Sequence, residues 1–133
     1  RTVTGVQTCA LPDLFFGPTD MNLYACSEGL VDTFMVPFLG TECKVDPNVY
    51  KKASPIEYAS KNAAPMLIIH GNADVVVPII HSERLNEKLK AAGANVELMV
   101  VDGGGHGWSS DSARKDTALA TLKFLNKQFK GEK

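Results

Sequence analysis

An α/β fold built on a parallel sheet is predicted by three features of the sequence. Apolar runs of strand length alternate with stretches of helical spacing, the clearest run is continuous rather than alternating with polar residues, and Gly or Pro bounds most of the segments. Taken in order, Leu14-Phe15-Phe16 is a short apolar run closed by the turn pair Gly17-Pro18, and it reads as the end of a buried strand. Across residues 21–50 the pattern changes. Phe34, Met35, Val36, Phe38 and Leu39 are interspersed with Gly29, Pro37, Gly40 and Pro47, which predicts short helices joined by turns, a cap-like excursion from the sheet.

Regular order then returns. Met66-Leu67-Ile68-Ile69, launched by Pro65, is an apolar run expected of a strand covered on both faces. From Pro78 the spacing turns helical, with Leu85, Leu89 and Ala92 at i, i+4 and i+7 and Gly93 as the stop. The next strand is Val96 to Val101. The last helix starts at Asp111 or Ser112, either a good N-cap, and runs to Lys130; Ala118, Leu122, Leu125 and Phe129 are predicted to share its inward face, and Gly131 ends it. The expectation is a sheet of about three parallel strands with flanking helices and right-handed crossovers.

With 133 residues, 44% hydrophobic and 22% charged, the chain has the composition of one ordinary globular domain, and its formal net charge of −1 offers no surface for nucleic acid. The lysines at Lys123, Lys127, Lys130 and Lys133 fall at helical spacing and read as a solvated face. No apolar run approaches the roughly 18 residues of a membrane helix. Three cysteines leave one unpaired in any arrangement; Cys26 and Cys43 can be paired or reduced, so cytoplasmic and secreted settings stay equally open. Residues 1–12, RTVTGVQTCALP, lack a signal-peptide layout and an initiator Met. They resemble the translation of a sequencing adapter, so residues 13–133 are expected to form the folded part, cut from a longer protein just before Asp13.

In open parallel sheets reacting groups gather beyond the carboxyl ends of the strands. Two loops there carry proton-handling side chains: His70-Gly71-Asn72-Ala73-Asp74-Val75-Val76-Val77-Pro78 and Asp102-Gly103-Gly104-Gly105-His106-Gly107-Trp108. Asp74 and His106 would meet if the two strands are neighbours, and a carboxylate beside an imidazole is the supporting half of a nucleophilic triad. Asp74 could instead cap the helix near Pro78, and His106 could be a solvated loop residue. Trp108 is a candidate for lining a substrate pocket or for packing beneath its loop. His70 reads as structural and His81 as a surface residue of the first helical turn. The histidines and Asp74 have no standard ligand spacing, so no metal is expected, and the glycines at residues 103–107 match no nucleotide pattern, so no cofactor is called for.

The acid-before-base order and the two loops resemble the α/β-hydrolases. HGNADVVVP is similar to the family's HGxxDxxVP acid loop and GGGHGW to its GxGHG-aromatic loop, 32 residues apart from Asp74 to His106. Gly17-Pro18-Thr19-Asp20 and Ser54-Pro55 resemble further segments of the esterase and lipase branch, which includes feruloyl- and acetylxylan-type esterases, and of the related prolyl oligopeptidase-like hydrolases. The resemblance implies a partial α/β-hydrolase fold, truncated at its N-terminus, with Asp74 as acid and His106 as base of a serine triad acting on a small-molecule ester.

The nucleophile is missing. A serine hydrolase carries it on a G-x-S-x-G strand-to-helix turn, and the nearest imitation here is Ala25-Cys26-Ser27-Glu28-Gly29, which follows a poor strand. Truncation would account for this, and a fragment holding two of three groups is expected to be inactive alone. A prolyl oligopeptidase-like peptidase would share the same C-terminal motifs. A non-catalytic binder on the same fold would have no need of both Asp74 and His106.

Overall fold

The computed structural model describes residues 13–28 and 32–130. The expected foreign leader, residues 1–12, lies outside the described residues, as do Gly29 and Gly131.

Three parallel strands, β1 (Asp13–Phe15), β2 (Met66–Gly71) and β3 (Val96–Val101), form a sheet in that order. The chain leaves β1 through three short helices, α1 (Met21–Glu28), α2 (Asp32–Leu39) and α3 (Pro47–Ala53), and a 3-10 turn, Pro55–Tyr58. It returns to β2, crosses through α4 (Ile80–Ala91) to β3, and ends in α5 (Asp111–Lys130). This is the predicted order of elements and the predicted α/β class.

Period-2 alternation distributes the two sides of the sheet. Ile68, Leu14 and Leu98 pack with Leu85, Leu89 and Val96 on the α4 side, whereas Leu67, Ile69, Met99 and Val101 pack with Phe124 on the α5 side. Because both faces of β2 are covered, the strand has to be apolar throughout, which explains its continuous run. The helical excursion has its own cluster of Ala25, Cys43 and Tyr50. Cys26 and Cys43 are disulfide-bonded, with Cα atoms 5.4 Å apart, so the pair left open by the sequence is closed. Ser54 ties the end of α3 to the start of α1: its hydroxyl accepts from the Met21 N–H at 2.8 Å and donates to the Tyr50 carbonyl at 2.8 Å. Asp20 caps α1 through the Leu23 N–H at 3.0 Å and pairs with Arg84 at 2.8 Å.

Expectations about two helices, α5 and α4, are corrected. The inward face of α5 is Thr117 and Phe124 with Ala113 and Leu125, while Leu122 and Phe129 are 55% and 75% exposed and Ala118 is exposed too. The helix is apolar on more than one side, and Thr117 hides its polarity by donating to the Ala113 carbonyl at 2.8 Å, so apolarity alone pointed to the wrong stripe. Its cap is Ser110, whose Oγ accepts from the Ala113 N–H at 3.1 Å, in place of Asp111 or Ser112. The second correction is His81, which is buried rather than on the surface. Its Nδ1 faces the Asp20 N–H at 3.4 Å, and its ring stands edge-on to Tyr24 at 5.4 Å.

Candidate active site

The β2–β3 register pairs Gly71 with Val101, so the loops that follow both strands leave the sheet at the same level. Their main chains then touch. A Cβ added to Gly71 would lie 2.1 Å from the Gly104 carbonyl oxygen, so only glycine fits there. Three hydrogen bonds hold the contact: Ala73 N–H to the Gly104 carbonyl at 2.9 Å, Gly103 N–H to Asn72 Oδ1 at 2.8 Å, and Asn72 Nδ2 to Asp102 Oδ1 at 2.9 Å.

On this base the structure brings Asp74 and His106 together. Asp74 Oδ2 accepts from His106 Nδ1 at 2.9 Å, while its Oδ1 accepts the N–H groups of Val76 and Val77 at 2.8 and 2.9 Å. The Asp74 carboxyl is fully buried, whereas the His106 side chain is 37% exposed. Burial pushes the Asp74 carboxyl up, but the Val77 N–H, the His106 and Val76 hydrogen bonds and the nearby His106 charge outweigh it. The net leaves it below the usual carboxylate value. Asp74 therefore caps its own turn and not the first turn of α4.

With Nδ1 engaged, His106 keeps Nε2 free: among the described residues no side chain hydrogen bonds to it. One aromatic stands against the ring and a second behind it. Phe16 lies 4.7 Å from the His106 ring and 5.4 Å, edge-to-face, from Trp108. Trp108 also packs against the core of the α5 side, so it supports Phe16 and its own loop. Phe16 was not singled out by the sequence. It carries a positive φ of 38°, which a bulky residue seldom adopts, and its place just before Gly17-Pro18 was the available signal.

His70 is buried at the end of β2, its Nε2 2.8 Å from the Val77 carbonyl and 3.3 Å from Asp74 Oδ2, its Nδ1 2.6 Å from Ser82 Oγ. Ser27 belongs to the last turn of α1 and not to a strand-to-helix turn, and Cys26 is consumed by the disulfide. Among the described residues no three His, Cys, Asp or Glu side chains converge as a metal site would require, and no helix is long and apolar enough to cross a membrane.

A parallel sheet with an acid beyond one strand and a base beyond the next, in contact at one edge, defines part of an α/β-hydrolase fold. The model of the prolyl oligopeptidase family matches residues 16–132, and the chain belongs to that family. It is 40% identical over 83 residues to Esterase LipC of Mycobacterium tuberculosis, an overlap covering 60% of this chain and 21% of the esterase. A solved truncated carbohydrate esterase from gut microbiota is 31% identical with a TM-score of 0.69, matching 85% of this chain and 42% of its own. A puromycin-hydrolyzing peptidase of Mycobacterium tuberculosis shares the fold, with a TM-score of 0.78 at 23% identity, over 86% of this chain and 18% of the peptidase. The chain thus spans about a fifth of the length of the curated relatives it matches.

Proposed function

We propose that this chain supplies the acid and the base of a serine-type carboxylic ester hydrolase, with Asp74 as acid and His106 as base. The observation that carries the reading is the 2.9 Å contact between a sealed carboxylate and Nδ1 of a partly exposed imidazole whose Nε2 has no hydrogen-bond partner among the described residues. In the proposed reaction His106 Nε2 takes the proton of a serine hydroxyl as that oxygen attacks the ester carbonyl, then returns it to the leaving alcohol. Asp74 holds the imidazole with its proton on Nδ1 and stabilises the imidazolium. The serine lies outside these residues, since the sequence has no G-x-S-x-G turn and Ser27 sits within a helix.

Phe16, backed by Trp108, gives the imidazole an aromatic neighbour suited to an apolar acyl or alcohol group of a small ester. The esterase names of relatives at 40% and 31% identity favour ester over peptide as substrate. The family match keeps a serine peptidase as the second reading. It predicts peptide turnover through the same pair.

The test uses a full-length protein that includes these residues, assayed on short-chain aryl esters and on aminoacyl amides. His106→Ala is expected to lower ester turnover by about 10⁴-fold or more. Equal turnover by that variant would sink the assignment, and amide turnover exceeding ester turnover would select the peptidase reading. The 133-residue chain alone is expected to be inactive on both.

A further inference from the structure

We propose that His70 is a positioning residue for Asp74, acting through its hydrogen bond to the Val77 carbonyl and its 3.3 Å contact with Oδ2 in a buried polar row running Ser82, His70, Asp74, His106. The inference rests on the reading of Asp74 as the acid that orients His106.

Asp74 and His106 are visible in the sequence motifs; what stands behind Asp74 is a matter of geometry. His70 Nε2 lies 2.8 Å from the Val77 carbonyl, which can only accept, so Nε2 carries a proton. The same nitrogen is also 3.3 Å from Asp74 Oδ2, a close polar contact beside the hydrogen bond to the carbonyl. On the far side Nδ1 faces Ser82 Oγ at 2.6 Å, and the serine hydroxyl donates to it when the ring is neutral. Both His70 and Ser82 are fully buried, so no water substitutes for either contact. Asp74 receives N–H donors on both oxygens, the main chain of Val76 and Val77 on Oδ1 and His106 on Oδ2, with His70 in close contact at Oδ2.

This arrangement matters for catalysis because Oδ2 is the oxygen that His106 uses. The main-chain donors fix Oδ1, but a carboxylate held at one oxygen can still pivot about it. The His70 ring limits that freedom, since its N–H anchors the Val77 carbonyl while Nε2 stands 3.3 Å from Oδ2. Val77 ties the parts together, since its N–H binds Oδ1 and its carbonyl binds His70, so acid loop and imidazole are set by one residue. A histidine present only to fill the strand end would be replaceable by any apolar ring or branch of similar size. A positioning histidine needs a donor at the place of Nε2.

The experiment compares His70→Leu, which keeps bulk and removes the donor, with His70→Gln, whose amide N–H reaches the same place. Asp74→Asn serves as the reference. In the chain itself, ¹⁵N imidazole spectra report the fraction of His106 with its proton on Nδ1. That fraction is expected to be high in the unaltered chain, to fall in His70→Leu and to recover in His70→Gln. In a full-length protein containing these residues, His70→Leu is expected to lower kcat by about 10- to 100-fold, the scale of one hydrogen bond to a charged group, with KM within about two-fold. His70→Gln should restore most of kcat.

A His106 proton distribution and kcat that stay unchanged in His70→Leu, while Asp74→Asn alters both, would overturn the positioning role alone. An unaltered response in Asp74→Asn would instead remove the acid reading beneath it. Should His70→Leu fail to fold, Ser82→Ala decides. It leaves the donor in place but frees the ring behind it, so a partial fall in the Nδ1-protonated fraction is expected and no fall overturns the proposal.

Discussion

The acid loop and the base loop leave neighbouring strands at the same level, yet they are held by opposite means. Residues 70–78 are fixed by polar contacts: the Asp74 carboxyl is sealed from solvent with donors on both oxygens, and His70 and Ser82 stand behind it. Residues 102–108 are fixed by backbone shape. Gly103 and Gly107 have φ of 65° and 121°, Gly105 pairs with Gly107 across a tight turn, and the His106 side chain that the loop presents is 37% exposed. The proposed roles fit that difference: a carboxylate that stays ionised and still needs saturated hydrogen bonding, and an imidazole that exchanges a proton needs an accessible nitrogen and a loop that aims it without covering it.

Three perturbations sharpen that contrast. The largest effect is expected where the loops meet: Gly71→Ala places a methyl into the Gly104 carbonyl, a backbone atom that cannot swing aside. A loss of about 3 kcal/mol is expected from such overpacking, or about 10 °C in thermal unfolding. An unchanged melting temperature would show that the loops are not locked through their main chains. Gly107→Ala should cost less, about 1–2 kcal/mol, because nothing crowds its Cβ and only the φ of 121° is unfavourable. Its signature is selective: the His106 resonances should shift while those of His70 stay, and joint movement of both would merge the two regions into one.

The smallest effect is expected from pH. Burial is the main cause that lowers His81, opposed by Asp20 and reinforced by His70 and Arg84, so the unfolded chain binds protons there more readily than the folded one. Stability from this group is present above the ordinary histidine value of 6.5 and is lost as pH falls below it. Asp74, also lowered, adds a second loss only below 3.8, as its folded-state value is crossed. Denaturant midpoints measured from pH 8 to pH 3 should therefore decline in two stages. A flat profile between pH 7 and pH 5 would contradict the burial of His81.

Much of this was legible in the sequence, for identifiable reasons. The strand Val96–Val101 has the predicted ends, and β2 extends the predicted run by His70 and Gly71, because a doubly covered strand must be apolar along its length. The meeting of Asp74 and His106 was legible because both follow such strands. Other features depend on contacts far apart in the chain. His81 is buried through Asp20, 61 residues earlier, and periodicity within one helix carries no trace of that. The packed stripe of α5 contains a threonine and omits Phe129, so ranking by apolarity selects the wrong face. Phe16 reaches His106 only through an unusual backbone angle just past β1, which an apolar run does not announce.

The main-chain lock between Gly71 and Gly104 also bears on recombination among relatives. Because the distance from acid to base is set by two glycines and by Asn72 bridging to residues 102 and 103, it is inherited as a unit. Chimeras whose junction falls in the approach to β2 carry both loops from one parent and keep their mutual fit. Junctions within α4 mix loops from two parents and must rely on both having solved the same contact alike.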